Sequence, residues 1–581
     1  MSRPSPFRSW TALALAAIAA LAFGLRVFGI QYGLPAVYNP DEVAIMARAL
    51  SFAKGTLNPH NFLYPTLYFY VLFGWVGTYL GAVWLAGGVA TVGELQELYF
   101  TNPTGIYTAG RLLGVMCGTA AVLAVYRLGT RLFDRRVGLG AAVFLAVAPL
   151  AVRDSHYVKH DIPATLAVVL ALIAIVRIWP RAPRPGRSRN DVILAGAACG
   201  VAFSTHYYCI FLALPLVWAI VQRWRADGWH LVFRHTVTAG VISAVVFFAL
   251  SPFLLVEPIV AWRDITANRQ IVVDRAVAGG AFAPARRYAE MLWNDSMGRG
   301  VVALALAGGA WMAAVAPARA VLLALFPLGF LAFIVNTAPA SRYLNPVLPV
   351  MAILGAWALA GLADRLRAPA TALWLAIAAL AVAPLMASIR TDAFFRTDDT
   401  RTLAQQYIES TIPAGSGILI QPYSVPLTPS RESLVEALTT NLGSVEAAST
   451  KFRIQLGLDP YPAPSYRLIW LGRGGLDAEK IYIDPAELTG PDSLARLKQL
   501  GVTHIVLKRY NAVDPELRPL LAELSRRGRL VARFTPYRAG LSDADRARVE
   551  PFLHNTDTRI VDALERPGPP LEIWQLDGPD S

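Results

Sequence analysis

Two acidic residues stand together directly after the first apolar segment of the chain. Asp41 and Glu42 occur in VYNPDEVAIMARAL, and Pro40 ends the preceding turn, so the pair opens an amphipathic helix. Acids at this position can act as simple caps of the helix N-terminus. A carboxylate at a membrane boundary can also take the proton from a hydroxyl or amine nucleophile, as a general base does. The sequence leaves both interpretations open.

A second cluster, RDSHYVKHD, fills positions 153–161 between two apolar segments. Arg153, His156, Lys159 and His160 are of the types that bind phosphate, and Asp161 would stand beside them as a second acid. A structural explanation also exists, because Asp161 followed by Pro163 is typical of a helix start. The remaining residues of the cluster would then be solvated loop residues.

Further candidates lie in other short polar segments. Arg342 and Tyr343 belong to SRYLNP, where the arginine either snorkels to the interface or binds a lipid phosphate. His60 and Tyr64, in NPHNFLYP, precede an aromatic apolar run, although a lone loop histidine is more often structural. His206 is a weaker candidate beside two tyrosines.

The elements that must position these residues are membrane helices. Of the 581 residues, 55% are hydrophobic and 16% are charged, which is well below the charge content of soluble domains. Eleven apolar stretches are long enough to cross a bilayer. They lie near 10–30, 107–127, 138–152, 161–179, 191–206, 207–222, 237–256, 298–316, 320–338, 344–362 and 370–389.

Basic loops predict the orientation of these crossings. Loops rich in Lys and Arg usually face the cytoplasm. All the basic segments of this chain do so only if the aromatic run 64–90 does not cross the membrane. These segments are the N-terminus, 131–136, 177–189, 223–234, Arg319 and 365–367. We therefore predict that this run lies along the interface or dips in and returns. The outer loops are then 31–106, 153–160 and 257–297, and the C-terminal domain lies outside the cytoplasm.

The chain divides near residue 390. Residues 1–390 carry 31 Lys and Arg against 15 Asp and Glu, whereas residues 391–581 carry 22 against 25. Alternating β runs and amphipathic helices in 391–581 predict a soluble α/β domain, with strands at 418–421, 467–472, 503–509, 530–534 and 571–576. This domain has no dense titratable cluster, so we expect an accessory role for it. The basic charge belongs to the membrane half, so nucleic acid is not an expected partner.

In their order along the chain, these features resemble the GT-C superfamily of polyprenyl-phosphate-dependent glycosyltransferases. The resemblance covers residues 10–390, and the bacterial protein mannosyltransferases (glycosyltransferase family 39) and the aminoarabinose transferase that modifies lipid A are the similar branch. It is carried by Asp41-Glu42, the segment with His60 and Tyr64-Pro65, Arg111, RLFDRRVG, SHYVKHDIPATL and SRYLNPVLP. It implies a helical polytopic membrane protein with about eleven transmembrane helices plus juxtamembrane helices.

The resemblance also implies a function. A sugar would pass from a polyprenyl-phosphate donor to a lipid, glycan or protein acceptor at the outer face of the bacterial inner membrane. Asp41 would be the general base or an acid that positions the acceptor, Asp161 matches the second outer-face Asp of these enzymes, and Arg342 would meet the donor phosphate. We predict that Glu42, beside Asp41, also belongs to the catalytic acids. A divalent metal stays open as a cofactor. The lipid A enzyme has an acid and a lysine directly before this proline, whereas here Leu63 and Tyr64 precede Pro65. This departure argues against a metal at this spot, although His60 could partly substitute.

Two other functions remain as alternatives. A non-enzymatic transporter or flippase of a lipid-linked or anionic solute would also explain the basic residues, although it would favour charged residues in mid-helix and two related halves. A polymerase or ligase of surface polysaccharide would use closely related chemistry.

Overall fold

The computed structural model describes residues 6–179, 189–274, 282–475, 477–490, 492–510, 515–553 and 560–576. Up to residue 395 these residues form helices almost throughout. The α-helices of this part are α1 (Pro6–Val27), α2 (Pro40–Leu50), α3 (Leu67–Leu85), α4 (Val92–Thr101), α5 (Thr104–Leu132), α6 (Arg135–Ala146), α7 (Pro149–Asp154), α8 (Asp161–Ile178), α9 (Arg189–Thr205), α10 (Ala213–Val221), α11 (Trp224–Asp227), α12 (Trp229–Leu250), α13 (Phe253–Val256), α14 (Pro258–Asp274), α15 (Ala283–Met291), α16 (Arg299–Val315), α17 (Pro317–Ile334), α18 (Leu348–Arg365) and α19 (Ala370–Phe395). Short 3₁₀ helices cover Ser51–Lys54, Tyr207–Leu212 and Ser341–Val347, and a π-helical turn covers Leu292–Ser296.

Eight helical segments of the described residues are long and apolar enough to cross a membrane. A ninth is possible if Ala283–Ser296 and Arg299–Val315, which meet at 119°, form one broken span. The prediction of a helical, multi-pass membrane protein is therefore confirmed, with eight or nine candidate spans among the described residues. The eight segments are Trp10–Val27, Leu67–Leu85, Thr104–Leu132, Asp161–Ile178, Trp229–Leu250, Pro317–Ile334, Ser341–Arg365 and Ala370–Thr411.

Seven of these segments coincide with predicted crossings, and the differences have a physical reason. The predicted crossing 138–152 divides at Pro149 into α6, of 12 residues, and the short α7. At 1.5 Å per residue, α6 alone is too short for about 30 Å of hydrocarbon. The stretches 191–206 and 207–222 likewise form helices of 17 residues or fewer.

Within the aromatic run 64–90, Leu67–Leu85 form one unbroken helix, α3, which is long and apolar enough to cross a membrane. A run that folds back within itself is therefore excluded. The helix lies along the first half of α5, where the Trp75 indole donates to the Ala109 carbonyl at 2.8 Å. Trp84 and Leu85 are exposed on α3, which agrees with contact to lipid. The interfacial placement stays a prediction.

The helices α5, α6, α8 and α18 supply much of the buried core of the membrane half. Beside them, α9 and α12 approach closely through small residues. A Cβ atom at Gly196 or Gly200 would lie 2.6 Å from a backbone oxygen of α12, so a larger residue there would push the helices apart.

The C-terminal part contains the predicted α/β domain. Its elements are α20 (Thr400–Thr411), β1 (Gly417–Ile420), α21 (Arg431–Leu442), α22 (Thr450–Leu456), β2 (Arg467–Leu471), β3 (Tyr482–Ile483), α23 (Ser493–Gln499), β4 (Val502–Lys508), α24 (Arg518–Arg527), β5 (Gly528–Phe534), α25 (Asp543–Ala547) and β6 (Leu571–Leu576). The sheet order is β3-β2-β1-β4-β6-β5, parallel from β3 to β4, with β6 antiparallel to both neighbours. Both faces of the sheet are covered, so successive residues of β1 are buried in different hydrophobic cores. Leu419 packs into the core on one face, and Ile418 and Ile420 pack into the core on the other.

Candidate active site

The N-terminus of α2 fixes the direction of the two acids. Asn39 is the N-cap, and its side chain accepts a hydrogen bond from the Asp41 backbone N–H at 3.1 Å, with Pro40 in the first turn. Successive residues of an α-helix point about 100° apart. Asp41 therefore stays partly exposed, whereas Glu42 points into the protein and is fully buried.

Glu42 forms a buried ion pair with Arg111 of α5. The guanidinium donates two hydrogen bonds to the carboxylate, at 2.9 and 2.8 Å, and the Val158 backbone N–H donates a third at 2.8 Å. Arg111 also donates to the carbonyl oxygens of Ile30 and Tyr32. Because its oxygens are fully engaged away from solvent, Glu42 holds α2 against α5, and these contacts favour this positioning role over the predicted catalytic one.

Asp41 lies within a small cluster of charges drawn from three segments. The Lys159 ammonium is 2.7 Å from the Asp41 carboxylate, and the Arg342 guanidinium is 3.9 Å from it. Asp161, at the first residue of α8, interacts electrostatically with both cations. Lys159 is 3% exposed and Asp161 6%, whereas the Asp41 side chain is 42% exposed. The most accessible member of the cluster is therefore the acid that was predicted as the base.

The 3₁₀ helix Ser341–Val347 brings Arg342 to this cluster. Arg153 bonds to the Ser341 hydroxyl at 2.7 Å and pairs with Asp154 at 3.0 Å, and Asp154 accepts a 2.6 Å hydrogen bond from the Asn345 amide. All four of these groups are buried. Arg153 thus fixes the segment that carries Arg342 and does not itself reach Asp41 through these contacts, which departs from its predicted role as a phosphate ligand.

The two histidines of the 153–161 segment have different environments. The ring nitrogens of His156 lie 2.9 and 2.8 Å from the carbonyl oxygens of Val152 and Phe28, so this side chain ties α7 to the end of α1. Its engagement with the backbone argues against the predicted contact with donor phosphate.

His160 lies in a cage of aromatic rings next to the charge cluster. It stacks on Tyr64 with ring centres 4.2 Å apart, and Tyr68, Phe69 and His206 contact its ring as well. Burial, followed by the nearby His206 and Arg48, lowers the pKa of His160 well below its ordinary value. The ring is therefore neutral and cannot offer the positive charge expected of a phosphate ligand. Burial likewise raises the pKa of Tyr64, which stays an uncharged wall of the site.

The remaining predicted residues divide between the site and its surroundings. Tyr343 packs under the Arg342 guanidinium, 5.0 Å from its ring centre, and so belongs to the cluster. His206 meets the Tyr64 ring edge-on at 5.3 Å. His60 is exposed and pairs with Glu257 at 3.1 Å, which also accepts from the Asn58 amide at 2.8 Å. This pair was missed because Glu257 lies 197 residues away in the sequence.

An apolar groove of about 320 Å³ lies among residues of α9, α10 and α12. Cys209 and Phe203, near His206 in the chain, line it together with residues of α10 and α12 such as Val217 and Phe248. Several of these side chains are exposed, so the groove opens on the apolar surface of the bundle. Within the described part of the chain, no group of three or more His, Cys, Asp and Glu side chains is arranged to hold a metal ion.

A family of known proteins matches the part of the chain that contains Arg111 and the 153–161 segment. Residues 106–255, which include Arg111 and the 153–161 segment, match the family model described as dolichyl-phosphate-mannose-protein mannosyltransferase. The resemblance stated from the sequence is confirmed over these residues. None of the curated proteins matches the chain.

Several solved structures are similar in outline. The crystal structure of ArnT from Cupriavidus metallidurans bound to undecaprenyl phosphate has a TM-score of 0.48 and 15% identity, and the match covers 90% of this chain and 96% of that one. The Archaeoglobus fulgidus oligosaccharyltransferase in the apo form has a TM-score of 0.49 and 12% identity, with coverage of 87% and 70%. The AglB oligosaccharyltransferase of the same organism, in complex with an inhibitory peptide and a dolichol-phosphate, has a TM-score of 0.49 and 14% identity, with the same coverage.

Proposed function

We propose that this chain is a membrane glycosyltransferase that moves a sugar from a polyprenyl-phosphate donor to a lipid, glycan or protein acceptor. The observation that carries the proposal is the partly exposed Asp41 carboxylate, held 2.7 Å from the buried Lys159 ammonium and beside Arg342. The family model that matches residues 106–255 supports the same reaction class.

The cluster can perform the transfer without a general acid. The acceptor O–H or N–H gives its proton to Asp41 as its oxygen or nitrogen forms a bond to the anomeric carbon. The bond between that carbon and the phosphate oxygen breaks, and its electron pair leaves with the phosphate. Lys159 and Arg342 stabilise the negative charge that develops there. Because Asp41 is 42% exposed, it can then release the proton to water.

Donor binding would also change the pairing of Asp41. The structure pairs Lys159 with Asp41, and an incoming phosphate would compete with Asp41 for both Lys159 and Arg342. Asp41 would thereby be freed to act as a base only when the donor is present. Asp161, behind the cations, would keep both oriented, and Tyr343 would support the Arg342 guanidinium.

We assign the prenyl chain to the apolar groove lined by Phe203, Cys209 and Val217. A lipid tail there would cover exposed apolar side chains, and its phosphate end would lie toward the aromatic cage of His160. His160, Tyr64 and His206 would shape the sugar pocket as neutral rings, with His60 at its margin.

The orientation follows from the basic loops. We propose that residues 1–390 form the catalytic membrane domain, that residues 391–581 form an extracytoplasmic domain, and that the site faces the outside of a bacterial inner membrane. There the donor is membrane-bound, in line with a groove for a lipid tail.

The test uses the full-length protein in vesicles with polyprenyl-phosphate donors carrying a radiolabelled sugar. We expect the label to move to an acceptor while polyprenyl phosphate is released in equal amount. Mass spectrometry of surface glycolipids and glycoproteins, with and without the protein in its host, identifies the acceptor. If the donor instead stays intact and moves between the leaflets, the protein is a flippase and the proposal is refuted.

A further inference from the structure

A cluster of aromatic side chains joins the loop before Asp41 to the C-terminal domain. Tyr32 stacks on Phe395, with ring centres 4.6 Å apart and planes at 12°, and meets the edges of Tyr157 and Phe552. Tyr38 completes the cluster, in which all five rings are buried. We call these five residues the junction cluster. The buried rings of Tyr157, Phe395 and Phe552 therefore form a surface against which Tyr32 and Tyr38 of the loop 30–39 pack.

Polar contacts lock the same loop to the first helix of the domain. Asp399, the N-cap of α20, pairs with Arg401 at 2.6 Å and accepts a hydrogen bond from the Tyr32 hydroxyl at 3.3 Å. The Arg401 guanidinium lies 3.8 Å from the centre of the Tyr38 ring, and the Tyr38 and Thr402 hydroxyls are 2.6 Å apart. Asp399 and Arg401 are both nearly inaccessible to solvent, so these contacts are little screened by water.

The backbone of the loop is shaped for this contact. Gly33 has φ +66°, and a Cβ atom there would lie 2.5 Å from the Tyr38 ring. Only glycine therefore lets Tyr38 fold back onto the loop and present its hydroxyl to Thr402. From the opposite side, Arg111 donates to the carbonyl oxygens of Ile30 and Tyr32.

The junction cluster reaches the charge cluster by two routes. Tyr38 immediately precedes Asn39, the cap that bonds to the backbone of Asp41. Tyr157 lies under the Lys159 ammonium, 5.9 Å from its ring centre, and Lys159 pairs with Asp41. A shift of the C-terminal domain would therefore move both partners of that ion pair.

We infer that Arg401 and Thr402 are positioning residues for the transfer reaction, through which the C-terminal domain sets the place of Asp41. The domain then helps to position the proposed base, which is a more direct part in the reaction than the accessory role expected from its sequence. The inference about turnover rests on the proposed function, whereas the inference about loop position does not.

The test compares Arg401→Lys and Thr402→Val in the full-length protein. Lysine cannot keep the two-pronged contact with Asp399 or the planar contact with Tyr38, and valine removes only the hydroxyl. Arg467→Lys is the control, since Arg467 of β2 makes a similar two-pronged contact with Glu436 of α21, away from the junction cluster. Hydrogen–deuterium exchange of residues 30–39, donor affinity and turnover are measured for each.

We expect exchange in residues 30–39 to rise about fivefold or more in Arg401→Lys and more modestly in Thr402→Val. Turnover should fall about 5- to 20-fold in the first variant with donor affinity within twofold, and Arg467→Lys should behave like the unchanged protein. Exchange in both variants equal to that of Arg467→Lys overturns the inference, as does a rise in exchange with unchanged turnover. Absence of transfer in the unchanged protein refutes the proposed function, and the exchange result then decides the positional inference alone.

Discussion

Replacing Asp41 with asparagine tests the proposed base at small structural cost. Asparagine keeps the size and one acceptor oxygen but cannot take a proton from the acceptor. The loss of a general base typically lowers turnover about 10²- to 10⁴-fold, which corresponds to roughly 3 to 5 kcal/mol of activation free energy. We expect turnover of Asp41→Asn to fall within this range.

The effect on stability should be much smaller. Asp41 is 42% exposed, so its pair with Lys159 counts as a largely solvated one, worth about 0.2 to 1 kcal/mol. Its charge at the N-terminus of α2 adds roughly 0.3 to 1 kcal/mol. The free energy of unfolding should therefore drop by only about 0.5 to 2 kcal/mol, and a folded but inactive protein is the expected result.

Donor affinity separates a catalytic role from a binding role. Because Asp41 competes with the donor phosphate for Lys159 and Arg342, Asp41→Asn should bind the donor at least as tightly as the unchanged protein. Turnover is measured with saturating donor, affinity by titration, and stability by thermal unfolding.

Asp134→Asn is the matched control for this experiment. Asp134 is also an acid at a helix N-terminus, is 44% exposed, and pairs with Arg136 at 3.0 Å. It should keep full turnover. If Asp41→Asn transfers sugar within about threefold of the unchanged protein, Asp41 is not the base, and the mechanism is refuted.

Three further predictions concern the residues around the base. Burial, and then Arg342, lowers the pKa of Lys159 below the ordinary 10.5. The ammonium is present below that pKa and lost above it, so donor affinity in a binding titration should weaken as the pH rises through the pKa. Lys159→Arg keeps its charge over this range, so the variant should not lose donor affinity at alkaline pH. Glu42→Gln leaves the Arg111 guanidinium buried without its counter-charge, so the free energy of unfolding, measured by denaturation, should fall by about 3 to 5 kcal/mol. The double variant Glu42→Gln/Arg111→Met removes the unpaired charge and should recover part of this stability. His156→Gln should change donor affinity less than about twofold, because its ring contacts backbone carbonyls, and a tenfold weakening would return it to the phosphate site.

The elements set by local sequence were predictable. Five of the six strands coincide with predicted β runs, because alternating apolar residues and flanking turns specify a strand without reference to distant contacts. The start of α2 was predictable for the same reason, since Asn39 and Pro40 define it within a few residues. The sixth strand, β3, has two residues and is held chiefly by its pairing with β2.

Roles that depend on distant partners were not predictable. Asp41 and Glu42 are neighbours in the sequence, yet Arg111, 69 residues away, turns Glu42 into a buried anchor. His156 and His160 belong to one polar segment, but one bonds to backbone carbonyls and the other enters an aromatic cage. The sequence shows that such residues cluster along the chain, but only the packing of the helices shows which side chains face the site.

The contact between Tyr32 and Asp399 joins residues 367 positions apart, and it sets an order of events on the ribosome. The loop that precedes Asp41 leaves the ribosome early, soon after the first helix. At 5 to 20 residues per second, its partner Asp399 follows roughly 20 to 70 seconds later. The strand β6, which pairs with both β4 and β5, is made later still. The membrane helices are thus complete while the loop still lacks its contacts with Asp399 and Arg401, and those contacts form only after the start of the C-terminal domain has been made.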